Sequence, residues 1–180
     1  MRIAGVEDGS FDAFSSDLVS STLLCCVLMD HDRIDDIRLS VIEVDGLDAT
    51  EKLLGMLDGL DTDAVILGGI TFGGFNIVDP LSIMRGTGTP VVVYSGKRPD
   101  SSSMRSALMK HFEDWRRRWA IIDRLGTVHR TVSRQGEPPI YFEVVGGSAA
   151  WADKVLCSSA LASRIPEPVR VAGLIARGVS

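Results

Sequence analysis

The run AVILGGITFGGFNIVD, Ala64 to Asp79, constrains the fold of this chain more than any other stretch. It opens on four apolar residues, Ala64, Val65, Ile66 and Leu67, with no polar alternation. That is the pattern of a strand covered on both faces. Gly68, Gly69, Gly73 and Gly74 follow within seven residues. Positions without a Cβ let the backbone turn sharply and come close to a neighbour. Asn76 and Asp79 then stand at the start of a predicted helix ending near Gly86. Polar groups therefore gather at the carboxyl end of an inner strand, where open α/β sheets bind ligands. Gly69, Thr71, Gly74, Asn76 and Asp79 form a candidate site loop. A plain strand-to-helix turn is the competing reading, because a glycine cluster by itself is a weak motif.

A length of 180 residues suits a single domain over 1–180, and 45% apolar with 24% charged residues excludes a disordered chain. No apolar run reaches membrane-spanning length, and the start, MRIAGVEDGS, lacks the layout of a secretion signal. No membrane partner and a cytoplasmic location are expected. Cys25 and Cys26 are adjacent in an apolar run, so they should point to opposite faces, and Cys157 is remote. Without a CxxC pair, and with only His31, His111 and His129, a structural zinc site is not expected. Buried, reduced thiols are.

Net charge is −5, which by itself disfavours a nucleic-acid partner. The distribution says otherwise. Residues 1–96 carry 5 basic and 16 acidic groups, residues 97–134 carry 10 and 4, and the remainder carries 4 and 4. So sharp an asymmetry marks residues 97–134 as a candidate binding face for DNA or RNA.

In chain order, Arg2 to Asp8 reads as a first strand ending on Glu7 and Asp8. Adjacent acids at the end of a buried strand are costly unless a divalent cation or solvent compensates them. Leu18 to Met29 reads as a second strand, Asp30 to Asp32 as a turn, and Ile34 to Val44 as a third strand in a hairpin. In that third strand Ile37, Leu39 and Val41 share one parity that Glu43 and Asp45 continue, so an apolar face ends in carboxylates. Asp48 is the expected N-cap of a helix to about Gly59, which leaves Asp45 as the freer acid. Thr89 to Ser95 is another buried strand, running into Gly96, Lys97 and Arg98. Met104, Leu108, Phe112, Trp115, Trp119 and Ile122 recur at helical spacing up to Gly126. The two tryptophans then belong to a packed stripe rather than a base-stacking surface. Arg116, Arg117 and Arg118 fall on the other faces, toward solvent or phosphate. Thr127 to Pro139 reads as an exposed connection, Ile140 to Val145 as a strand, Ser148 as the cap of a helix to about Ala162, and Pro166 as the start of a last helix to Arg177. This order predicts an α/β fold of ribonuclease H-like layout: a mixed sheet, antiparallel in its first three strands and then parallel, flanked by helices.

Five motifs carry a family resemblance: GVEDGSF (Gly5 to Phe11), VDGLDAT (Val44 to Thr50), GITFGGFNIVD (Gly69 to Asp79), PVVVYSGKRPD (Pro90 to Asp100) and PEPVRVAGLIA (Pro166 to Ala176). Together they resemble the archaeal family called domain of unknown function 99, itself similar to endonuclease V, and they cover nearly the whole chain. The resemblance implies Mg²⁺ or Mn²⁺ on carboxylates and cleavage of nucleic acid. Glu7 matches the first metal-binding aspartate of endonuclease V, with Asp8 beside it. Asp45 lies where a second carboxylate is expected, and Lys97 resembles the lysine after the later strand. Gly68-Gly69 stands where the pattern has Asp-Gly, so one ligand is missing. Two readings follow: a metal-dependent phosphodiesterase using Glu7, Asp8 and Asp45 with Lys97 steadying a phosphate, or a non-catalytic nucleic-acid- or protein-binding module with a degraded metal site. A homodimer is compatible with either.

Overall fold

The computed structural model describes residues 1–11 and 20–180, so Leu18 and Val19 of the second predicted strand lie outside the described residues. Strands β1 (Arg2–Asp8), β2 (Ser21–Asp30) and β3 (Arg33–Glu43) form an antiparallel meander. Helix α1 (Ala49–Leu57) leads to β4 (Ala64–Leu67), which pairs parallel to β1. The glycine-rich stretch then folds into a small hairpin, β5 (Thr71–Phe72) and β6 (Asn76–Ile77), before α2 (Pro80–Thr87). Strand β7 (Val91–Ser95) pairs parallel to β4. After it come α3 (Ser101–His111), α4 (Trp115–Asp123), β8 (His129–Thr131), β9 (Ile140–Val145), α5 (Ala149–Ser159) and α6 (Glu167–Val179).

The main sheet has the order β3-β2-β1-β4-β7-β9-β8. Its centre, β1, β4 and β7, is parallel, and β9 and β8 continue it in antiparallel sense. The segment read as an exposed connection thus supplies a short edge strand. Because the three central strands run the same way, Glu7 and Asp8, Gly68, and the Ser95–Lys97 turn all arrive at one edge of the sheet.

Alternating residues fill two layers. Val6, Leu24, Cys26, Val65, Leu67 and Val93 pack on the face covered by α1 and α2. Ile3, Ile66, Val92, Tyr94 and Phe142 pack on the other, with α5 and α6. Removal of these apolar side chains from water, worth about 25 cal/mol per Å², drives the assembly. Cys25 and Cys26 point to opposite layers as expected, but Cys157 is exposed. On edge strand β3 the apolar parity lies open, with Ile37, Leu39 and Val41 each 44–55% exposed.

The arginine run corrects the sequence reading. Phe112 takes an extended conformation and ends α3, so the helical stripe breaks in two. Trp115 and Trp119 are only half-buried, and Arg105 lies over both rings, with Arg116 also over Trp115. Arg118 is the buried member, at 5% exposure. Its Nε donates to Asp114 Oδ1 at 2.8 Å, and its Nη atoms donate to the carbonyls of Gly46, Phe75 and Asp45 at 2.7–2.9 Å. A guanidinium can be buried here because four acceptors meet its donors. An indole in the same place would leave three carbonyls without a partner.

The start of α1 is another correction. Asp48 stands at the N-cap but makes no capping bond. Asn76, fully buried in the hairpin, accepts the Ala49 N–H instead at 3.1 Å, and its amide donates to Asp48 Oδ1 at 2.6 Å and Glu43 O at 2.8 Å. Asn76 and Asp79, both expected at the start of a helix, part company: Asn76 lies in β6, and Asp79 is the N-cap of α2, accepting from Leu81 N at 3.1 Å and Ser82 Oγ at 2.9 Å, ahead of Pro80.

Candidate active site

Glu7 and Asp8 end β1 at the edge where the parallel strands converge. Burial pushes the Glu7 carboxyl up to about 7, Asp8 beside it adds to the rise, and Arg177 on α6 opposes it. Asp8 is also raised by burial, and a bond from Gly73 N–H at 2.6 Å pulls it back. The two carboxyls hydrogen-bond to each other, with Asp8 the more acidic partner. Two such groups in contact cannot both ionise cheaply. Arg177 acts at a distance: among the described residues no Arg or Lys forms an ion pair with either acid.

Gly68, at the end of β4, is required by this pair. A Cβ there would fall on Glu7 Oε2. The space that an aspartate would occupy at position 68 is filled by the longer side chain of Glu7.

Asp45 is less free than the sequence suggested. It adopts the left-handed conformation at φ 60°, and its Oδ1 accepts the Phe75 N–H at 2.8 Å. A Cβ on Gly74, itself at φ 80°, would collide with that carboxylate. Asp8 and Asp45 thus grip the same hairpin turn, one through Gly73 N–H and the other through Phe75 N–H. Among the described residues no group of three or more His, Cys, Asp or Glu side chains is close enough to hold a metal ion. Glu7 and Asp8 are brought together; Asp45 does not complete a trio with them.

Of the loop candidates, Gly69 and Thr71 line a cavity, Asn76 and Asp79 hold the helix starts, and Gly74 makes room for Asp45. Lys97 is exposed just beyond β7, in a turn closed by Ser95 Oγ donating to the Lys97 carbonyl at 2.5 Å.

The cavity has a volume of about 250 Å³ and lies between the ends of β4, β7 and β9 and helices α3 and α4. Ile70, Val93, Met104, Ile122 and Leu125 give it apolar walls. Glu143, opposite Val93 on β9, lines it too and is only 6% exposed. Burial pushes its carboxyl up to about 7, and its own backbone N–H is the one group that opposes the rise.

Comparison with known proteins identifies the chain. The family pattern described as Endonuclease dU matches residues 1–180. The chain belongs to the Endonuclease dU family. A relative from Methanothermobacter thermautotrophicus, named UPF0215 protein, is 36% identical over 184 residues, covering 100% of this chain and 88% of its own. A crystal structure of a protein from Archaeoglobus fulgidus has a TM-score of 0.83 at 32% identity and covers 99% of this chain and 97% of its own. Endonuclease V from Ciona intestinalis, solved with a 24mer DNA containing an inosine followed by a ribo-adenosine, has a TM-score of 0.61 at 12% identity and covers 99% and 84%. That likeness is one of fold, and it agrees with the expected ribonuclease H-like layout and with the resemblance to endonuclease V.

In this member of the Endonuclease dU family the basic segment divides by use. Arg118 is buried, Arg124 pairs with Asp79 at 3.3 Å, and Arg134 bonds the Leu161 carbonyl at 2.6 Å. Lys97, Arg98, Lys110, Arg117 and Arg130 are exposed and, among the described residues, without an ion-pair partner. No helix among the described residues is long and apolar enough to cross a membrane. Sequence reasoning missed Arg177 and Glu143. The available signal for Glu143 was a lone acid inside the apolar strand IYFEVV.

Proposed function

We propose that this chain is a divalent-metal-dependent phosphodiesterase acting on nucleic acid, at the deoxyuridine that the family description names. The observation that carries this reading is the Glu7–Asp8 pair: two desolvated carboxyls side by side, at the carboxyl edge of a parallel sheet, with no paired cation among the described residues. Hard oxygen donors of this kind suit Mg²⁺ or Mn²⁺, which binds through one or two carboxylates and keeps several waters. The donor set therefore fits the ion. When bound, a divalent ion there supplies activation of a water and stabilisation of charge on the leaving oxygen.

The chain's own residues have separate tasks. Glu7 and Asp8 hold the ion and give up the proton they share. Asp45 positions the hairpin through the Phe75 N–H. Lys97 donates to a phosphate oxygen, and Arg98 and Arg117 lie along the nucleic-acid backbone. Gly69 and Thr71 open the adjoining cavity to the nucleotide next to the cut.

Titration with Mn²⁺ by calorimetry in two buffers of different ionisation enthalpy tests this. The expected result is binding with release of up to one proton near pH 7, abolished by Asp8→Asn. Absence of binding at millimolar Mn²⁺ overturns it. Gly68 favours a second reading, a nucleic-acid-binding module without catalysis; DNA binding without Mn²⁺ binding would select it.

A further inference from the structure

A cavity is worth attention when something in it is left wanting. Most polar groups around this one are already engaged. Asp100 accepts from the hydroxyls of Ser102 at 2.8 Å and Ser103 at 2.6 Å, and from Ser103 N–H at 3.0 Å. Ser95 Oγ donates to the Lys97 carbonyl. Glu143 differs: it is 94% buried by its 6% exposure, and among the described residues no donor from another residue and no cation meets its carboxyl. No fully buried side-chain oxygen among the described residues lacks a partner, so this carboxyl opens onto the cavity that it lines. It is a hydrogen-bonding group in a largely apolar wall.

The surroundings define what fits. The volume, about 250 Å³, suits one planar heterocycle against the apolar side chains of Ile70, Val93, Met104, Ile122 and Leu125. The cavity also adjoins the acids. Gly69 in its lining follows Gly68, which abuts Glu7. A nucleotide with its phosphate at Glu7 and Asp8 can therefore turn its base into the slot. Such extrusion costs a few kcal/mol, less for single-stranded nucleic acid.

We propose that Glu143 is the specificity-determining residue of this cavity, its carboxyl accepting the ring N–H of an imide base such as uracil. This deepens the phosphodiesterase reading and rests on it for the nucleic-acid substrate. A ring nitrogen without hydrogen, as in cytosine, sets a lone pair against the carboxylate and leaves Glu143 buried and unmatched. Sites built around one hydrogen bond reject analogues lacking it far more strongly than apolar pockets sort shapes. Glu143 thereby sorts bases that carry a ring N–H from those that do not, and the apolar walls act on ring substituents.

The test measures binding by fluorescence anisotropy, using the full chain in EDTA and single-stranded oligonucleotides. Each carries one central deoxyuridine, one 2-pyrimidinone deoxynucleotide (the same ring without the N3–H and the 4-oxygen) or one abasic tetrahydrofuran. The wild type is expected to bind deoxyuridine about tenfold more tightly than 2-pyrimidinone. E143Q, whose amide oxygen still accepts the N–H, keeps most of that preference; E143A brings the two within about twofold. Equal affinity of all three proteins for the abasic oligonucleotide shows that the variants are folded and bind the backbone. Equal wild-type affinity for the two bases, an undiminished preference in E143A, or no binding of any oligonucleotide overturns the inference. Cleavage with Mn²⁺ is scored separately: discrimination without cleavage removes only the phosphodiesterase reading, and cleavage without discrimination removes only the role of Glu143.

Discussion

Glu7 and Gly68 occupy one space: a Cβ on Gly68 would fall on Glu7 Oε2. The backbone at Gly68 is not left-handed, so the obstacle is steric: chiefly the Glu7 carboxyl, with the Val6 carbonyl 3.0 Å away as a second, fixed neighbour. Gly68→Ala is expected to destabilise the protein by about 1–3 kcal/mol, the usual cost of overpacking. Adding Glu7→Ala should recover a large part of that loss, because neighbouring substitutions in contact are not additive. Urea unfolding of the four proteins in the cycle measures it; additive effects would show that Glu7 does not fill the site.

Glu7 and Glu143 predict an unusual pH dependence. Both carboxyls are pushed to about 7 in the fold and titrate near 4.5 once exposed. Between those values the folded chain binds more protons, so stability should fall as pH rises from about 4.5 to 7. Glu143 alone contributes up to about 3 kcal/mol to that fall. Glu143→Gln should therefore flatten the profile and make the protein more stable than wild type at pH 8. Unfolding curves at pH 5 and pH 8 check both points, and identical slopes would contradict the buried, unpaired state of this acid.

Arg118 is expected to behave as a structural pin. Removing it strands the carbonyls of Asp45, Gly46 and Phe75. Arg118→Ala should cost about 3–5 kcal/mol. Arg118→Lys should recover little, since a point charge cannot replace a planar fork with four partners. Chemical denaturation gives the size, and amide exchange at Phe75 reports whether the hairpin loosens first.

The exposed cations should set the salt dependence of nucleic-acid binding. Each phosphate contact adds about 0.9 to the slope of log affinity against log salt for duplex DNA. Lys97→Ala and Arg117→Ala are each expected to lower the slope by about one, measured by anisotropy from 50 to 200 mM salt. A variant at Arg130, on the edge strand β8, distinguishes a footprint confined to the acidic edge from one that crosses the sheet.

The sequence made some of this legible and hid the rest for identifiable reasons. Strand β1 was readable at both ends because an apolar run stops at two acids, and the convergence of Glu7, Asp8 and Gly68 followed from parallel strands. Asp45 misled because its left-handed backbone and its bond to Phe75 depend on a residue thirty positions away. Arg118 was hidden in a run of three arginines, distinguished only by the carbonyls that the turn after β3 and the hairpin bring to it and by the Asp114 carboxylate. Glu143 depended on the antiparallel pairing of β9 with β7, which fixes its side chain on the same face as Val93. Periodicity within a strand cannot choose between that pairing and its opposite.

The hairpin between β4 and α2 has two acidic tethers and a basic clamp on one turn: Asp8 holds Gly73 N–H, and Asp45 and Arg118 hold the N–H and the carbonyl of Phe75. A cation drawn to Asp8 Oδ2 would compete with the amide of Gly73 for that oxygen. Loading the acids would therefore bear directly on what holds the hairpin. Thr71 belongs to the same hairpin and lines the cavity, so the acids and the cavity share one support.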